Sequence, residues 1–164
     1  MRSGRCSPRT RRVTPRPEGE AAHFRALETL YAEAPINRLF DSTLEITEPG
    51  VARIRFRVDE RHYHAAGAAH GTSYFKMLDD AAFYACNSLV TDRFLLTTRF
   101  NLLLTRPIKA GEVVAEGRWV SGRRRVFVAD ARLIDASGEE VARGTGTFMR
   151  SQIALAGLPG YRTA

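Results

Sequence analysis

The sequence predicts an α+β domain in which one long, buried helix is wrapped by a twisted antiparallel β-sheet. Three observations lead there. Residues 71–89 carry apolar side chains around much of a helical circumference, residues 94–149 read as four strands with short connections, and a further hairpin precedes the helix. A helix that is apolar on most sides must be enclosed. Consecutive strands with short links pair antiparallel, as a meander.

The chain opens on a basic tail. Residues 1–17 hold Arg2, Arg5, Arg9, Arg11, Arg12 and Arg16 and no acid, which accounts for six of the seven net positive charges. The other 147 residues carry 19 basic and 18 acidic side chains. The body is therefore close to neutral, and no nucleic-acid partner is expected from charge. Pro8, Pro15 and Pro17 interrupt the tail, and only Met1, Cys6 and Val13 in it are apolar. Such a segment cannot bury enough surface to fold and is expected to be disordered. Residues 18–164 are expected to form a single domain.

From Glu18 to Ala34 the pattern is helical. Phe24, Leu27, Leu30 and Tyr31 form an apolar stripe, and Pro35 ends it. The core of the domain is expected over about 35–149. Leu44 and Ile46 alternate with polar neighbours, Glu48-Pro49-Gly50 marks a turn, and Ala52, Ile54, Phe56 and Val58 alternate with Arg53, Arg55 and Arg57. These two strands should form a hairpin with a basic outer face. A loop with three of the four histidines follows, Asp59 to His70. In the next helix Phe75, Leu78, Ala82, Ala85, Cys86 and Leu89 form one face, widened by Met77, Ala81 and Tyr84. The last four strands are read as Phe94 to Leu104, Glu112 to Val120, Arg124 to Ile134 and Val141 to Met149.

Composition excludes several classes. At 164 residues and 44% hydrophobic the chain suits one domain, burying roughly 70% of its unfolded surface without disulfides or a structural metal. Cys6 and Cys86 form neither a disulfide framework nor a zinc site, and they suit a reducing, cytoplasmic compartment. No apolar run reaches the ~18 residues of a membrane span, and no secretory signal opens the chain.

The chemistry is expected around His64 to Asp79. His70-Gly71 stands at the start of the buried helix, where unsatisfied N–H groups and a partial positive charge favour an anionic oxygen. A carboxylate, a phosphate or an acyl-transfer oxyanion would each suit that place. At 100° per residue Asp79 lies roughly 70° from the centre of the apolar face and Asp80 roughly 170°. Asp80 is thus expected to point away, with Asp79 on the border, as a paired helix residue or as a working carboxylate. His62 and Tyr63 suit a loop surface, and His70 could cap the helix. No two histidines stand at i, i+4, so no metal site is expected. Ser73 and Ser88 lack the Gly-x-Ser-x-Gly elbow of many serine hydrolases. On the next strand Leu95, Thr97, Arg99, Asn101 and Leu103 share one face by simple alternation, either solvated or lining a wet cleft.

These residues carry a resemblance. Gly67-Ala68-Ala69-His70-Gly71, Leu78-Asp79-Asp80-Ala81 and Tyr84-Ala85-Cys86-Asn87-Ser88 resemble the hotdog-fold acyl-CoA thioesterases, closest to the group named for phenylacetate degradation. That group's pattern is Asn-x-x-Gly-x-x-His-Gly-Gly with an Asp nine residues after the His. Asn101 to Glu112, with Arg106-Pro107 and Gly111, and Gly138 to Met149 are similar to its later strands. The resemblance covers roughly Pro35 to Met149. It implies a hotdog fold, assembled as a homodimer or homotetramer, that hydrolyses an acyl-CoA with no cofactor beyond the substrate's own CoA.

It further implies that the Gly71 N–H polarises the thioester carbonyl. Asp79 of the other subunit acts as nucleophile or as general base, and Thr97 helps to position water. His70 shapes the loop beside Thr72 and Asn101 on the substrate side, and Arg123 and Arg124 are candidates to grip CoA phosphates. Two positions depart from the pattern: His64 stands at the family's Asn, and Thr72 at its second Gly. His64 can donate one hydrogen bond as the amide does, and can also exchange a proton. Two other readings stay open: a hotdog dehydratase or hydratase pairing His64 with Asp79, and a non-catalytic acyl-CoA-binding protein.

Overall fold

A computed structural model describes residues 18–162, and the basic tail at 1–17, with Cys6, lies outside them. The described chain begins with α1 (Glu18–Glu33) and a 3₁₀ turn (Pro35–Leu39). α1 buries Phe24, Leu27 and Tyr31, the stripe the spacing predicts. Pro35 lacks the N–H to extend α1, and it opens the 3₁₀ turn instead.

Strands β1 (Ser42–Glu48) and β2 (Val51–Val58) form the expected hairpin, reversed at Gly50, whose φ of 80° suits glycine. Ala52, Ile54, Phe56 and Val58 are buried, while Arg53, Arg55 and Arg57 stay at the surface. The long helix α2 (Gly71–Asn87) follows, then β3 (Arg93–Leu104), β4 (Gly111–Ser121), β5 (Val126–Asp135) and β6 (Glu140–Ala154). All six strands form one antiparallel sheet in the order β1-β2-β4-β5-β6-β3. This is the hotdog arrangement, a sheet curled around a central helix.

The plain meander read across the last four strands is corrected in one respect. β4, β5 and β6 form a meander, but β3 does not join β4. The free edge of β4 is taken by β2, so β3 runs along β6 at the far edge. β6 also continues past Met149 to Ala154, because the first residues of β3 need ladder partners: Leu95 pairs with Arg150 and Arg93 with Ala154.

α2 is enclosed as its composition requires. Met77, Leu78, Ala81, Ala82, Ala85 and Cys86 are completely buried. The closest approach to the sheet is at Gly117, in the middle of β4. A Cβ there would stand 2.0 Å from the Ala81 carbonyl oxygen, so only glycine fits. At the C-terminal end the buried Asn87 holds the turn into β3. Its Oδ1 accepts from Leu95 N–H (3.0 Å), and its Nδ2 donates to the Val90 and Arg93 carbonyls. Phe75, counted on the buried face, is 43% exposed beside Phe100, outside the cover of the sheet. His62, expected at the surface, is buried: its ring lies between Phe40 and Phe56, and its Nδ1 caps a short turn with Asp59. Among the described residues no helix is long and apolar enough to cross a membrane.

Gly117→Ala should lower stability by about 3 kcal/mol or more, because the clash is with backbone on both sides and no rotamer relieves it. Chemical denaturation against the parent protein measures this, and an unchanged midpoint would show that α2 is free to move away from β4.

Candidate active site

Gly71 opens α2 with its N–H aimed out of the helix. The neighbouring amides are engaged. His70 N–H donates to the His62 carbonyl, Thr72 N–H to His70 Nδ1 (3.1 Å), and Ser73 N–H to the His70 carbonyl. His70 is therefore the cap, and the Gly71 N–H has no acceptor among the described residues. His64 lies in the exposed loop before it, with Nδ1 accepting from Ala66 N–H at 3.0 Å. His64, His70, Gly71 and Thr72 are thus gathered at one end of α2.

Asp79 lies at a different place. Eight residues along a helix is about 12 Å, so the Gly71 N–H and the Asp79 carboxylate of one chain cannot meet across one carbonyl carbon. Asp79 instead meets β3, where Thr97 Oγ1 donates to both carboxylate oxygens at 3.1 and 3.3 Å. A β-bulge makes this contact. Thr97 pairs with Phe148 and Arg99 with Thr147, leaving Thr98 as the extra residue. Leu95 and Thr97 consequently face α2, whereas Arg99, Asn101 and Leu103 face the outside of the sheet. The expected common face of these five residues is split by one inserted position. Asn101 lines an outer groove with Arg53, Arg118 and Arg143, on the side away from Asp79.

Asp79 and Thr97 stand in a cleft of about 250 Å³, walled by Phe83, Phe94, Leu96 and the Tyr31–Asn37 segment. Burial pushes the Asp79 carboxyl up to about 6, with the Thr97 hydrogen bond and Lys76 opposing and Asp80 reinforcing. The site therefore holds a carboxylate that still ionises near neutrality yet is basic enough to accept a proton.

Asp80 does not point into solvent as helical geometry alone predicts. α1 and the 3₁₀ turn pack over that side of α2. Asp80 lines the same cleft and is ion-paired with Lys76, with side-chain exposures of 23% and 11%. Burial raises its carboxyl too, against the pull of Lys76. Lys76 and Asn37 carry no expectation from the sequence, and Tyr31 is expected only as part of the apolar stripe of α1. The i, i+4 spacing of Lys76 and Asp80 was a legible signal, whereas no local signal says where an amphipathic helix will dock.

Arg123, Arg124 and Arg125 form the β4–β5 turn, and no carboxylate pairs with any of them among the described residues. Arg123 lies over the Trp119 ring at 4.9 Å. Arg150 N–H donates to the Arg125 carbonyl, and Arg150 pairs with Leu95, so the turn is two strands from the cleft wall, roughly 10 Å. Among the described residues no cluster of His, Cys, Asp and Glu has the form of a metal site.

Comparison with known proteins agrees with this architecture. Residues 66–142 match the Thioesterase superfamily. A Saccharolobus solfataricus protein bearing the name of an esterase is 28% identical over 105 residues, covering 64% of this chain and 70% of that protein. The Escherichia coli PaaI protein of the phenylacetic acid degradation operon superposes with a TM-score of 0.75 at 18% identity, covering 83% of this chain and 98% of that one. A Thermus thermophilus PaaI variant gives 0.65 at 25% identity, over 71% and 99%. Residues 66–142 are thus similar to the thioesterase superfamily, and the sheet order and central helix are those of the hotdog fold that the two PaaI proteins share.

Proposed function

We propose that the protein hydrolyses acyl-CoA thioesters, with Asp79 as the reacting carboxylate. The observation that carries this reading is a half-buried carboxylate of raised basicity, held by Thr97 at the mouth of an apolar cleft. In the reaction Asp79 takes a proton from water as its oxygen adds to the thioester carbonyl carbon. The oxyanion so formed is stabilised by a helix-start N–H, and collapse expels the CoA thiolate, which is then protonated. Attack by Asp79 itself, through an anhydride, uses the same geometry. Asp80 is the poorer candidate because Lys76 holds it.

The oxyanion donor comes from a second subunit. β3 leaves one edge unpaired over twelve residues, and Leu96, Leu103 and Leu104 on it are 47%, 58% and 45% exposed. Such an edge invites a second copy. A two-fold axis near Phe100 and Asn101 would lay Leu104 of the partner subunit beside Thr97. Gly71 adjoins Leu104, whose Cδ1 is 3.6 Å from the place of a glycine Cβ. The partner's free Gly71 N–H would thus approach Asp79. His64 and Asp79 are not brought together within one chain, so the structure offers a hydratase pair no support there. Unpaired Arg123 and Arg124 suit the phosphates of CoA at the cleft's outer end.

Asp79→Asn should cut kcat/KM for acyl-CoA hydrolysis by at least ~10²-fold in a free-thiol assay, with the dimer intact. Because ionised Asp79 is required and its carboxyl titrates at about 6, kcat/KM of the parent should rise with pH through that value and level off above it. Full activity in Asp79→Asn would discard the mechanism. Replacing Arg123 and Arg124 with Gln should raise KM several-fold at low salt with little change in kcat, and the difference should shrink as salt screens it. Sedimentation should find a dimer or tetramer, and an active monomer at assay concentration would refute the shared site.

A further inference from the structure

The Lys76–Asp80 pair has no part in the reaction as proposed, yet Asp80 lines the same cleft as the reacting carboxylate and both charges are felt there. The Lys76 ammonium is 5.2 Å from the ring centroids of both Tyr31 and Phe40. Tyr31 belongs to α1, and Phe40 closes the 3₁₀ turn after it, so the N-terminal segment clamps the pair from above. On an isolated helix a Lys preceding an Asp is the weaker orientation. Enclosing an ion pair also does little for stability, since apolar substitutes often do as well. Stability therefore gives little reason for the arrangement, whereas its position beside Asp79 does.

We propose that the Lys76–Asp80 pair, held under Tyr31 and Phe40, is a positioning element for Asp79 that sets the pH range over which the reacting carboxylate is ionised. This rests on the assignment of Asp79 above. The physical basis is charge balance in a place of low polarity. Alone, an ionised Asp80 would repel the charge on Asp79, and a free Lys76 would overstabilise it and leave a weak base. Paired, they present Asp79 with a neighbour of no net charge.

Within one subunit, no other charged side chain among the described residues obscures this. From β3, Asp79 faces the neutral Thr97 hydroxyl, and from the 3₁₀ turn the neutral Asn37. From α1 and α2 come the phenols of Tyr31 and Tyr84, which burial and the Asp80 charge keep un-ionised. Asp79 and Asp80 are the only ionic side chains lining the cleft among the described residues, and Lys76 is the one cation held against them.

Two variants test the proposal. Asp80→Asn keeps the shape and leaves Lys76 uncompensated. Lys76→Met with Asp80→Asn removes both charges. For each, the acid limb of kcat/KM is measured over pH 4.5–9, and the Asp79 carboxyl is titrated directly by carbon-13 NMR. Asp80→Asn should lower both values by about one pH unit, and the double variant should return both to within a few tenths of the parent. An Asp79 titration that is unmoved in Asp80→Asn overturns the proposal, whatever happens to the activity. If the NMR titration moves while the kinetic limb stays, the pair does govern Asp79 but Asp79 is not the reacting base. That result rejects the functional assignment and not the electrostatic coupling.

Discussion

At Gly117 the absence of a side chain lets α2 lie against the sheet so closely that any Cβ would overlap the Ala81 carbonyl. The rest of the architecture follows from that approach. Once the middle of α2 is pressed to β4, its neighbours Leu78, Ala82 and Ala85 are enclosed by the curled sheet. Asp79, two residues before the contact, is carried to the rim of the buried face. A helix held further out would leave the same carboxylate in open water, with the acidity of an ordinary surface aspartate.

The second constraint is the extra residue at Thr98. In an unbroken strand Thr97 and Arg99 share a face, and a strand that turns Phe100 toward the helix would turn Thr97 outward. The bulge reverses the alternation, so both Thr97 and Phe100 face α2. It lies on the edge strand, where a ladder irregularity disturbs only one partner. Asp79 thereby gains a hydroxyl donor while staying open to the cleft.

The third is the N-terminal segment. α1 and its 3₁₀ turn cover the side of α2 that the sheet leaves free, and with Tyr31, Ile36 and Asn37 they complete the cleft. His23 helps to pin this segment. It bridges the Asn87 carbonyl and the Tyr161 hydroxyl, and burial keeps its imidazole less basic than usual. The cleft and its charge environment therefore depend on the same cover.

Periodicity and punctuation in the sequence determined the elements themselves. The stripe of α1, the alternation of β2, the apolar circumference of α2 and the glycine-marked turns each reflect contacts between near neighbours. The pattern from Gly67 to Ala81 likewise exposed Gly71 and Asp79, because a helix start and a carboxylate on the border of an apolar face are local properties. Tertiary structure alone decided that β3 runs beside β6 and that Thr98 is bulged. It also decided that Asn101 faces outward and that Asp80 is covered by α1. Each of these depends on which distant backbone edge or helix face is already occupied, and a single chain read from neighbour to neighbour carries no record of that competition.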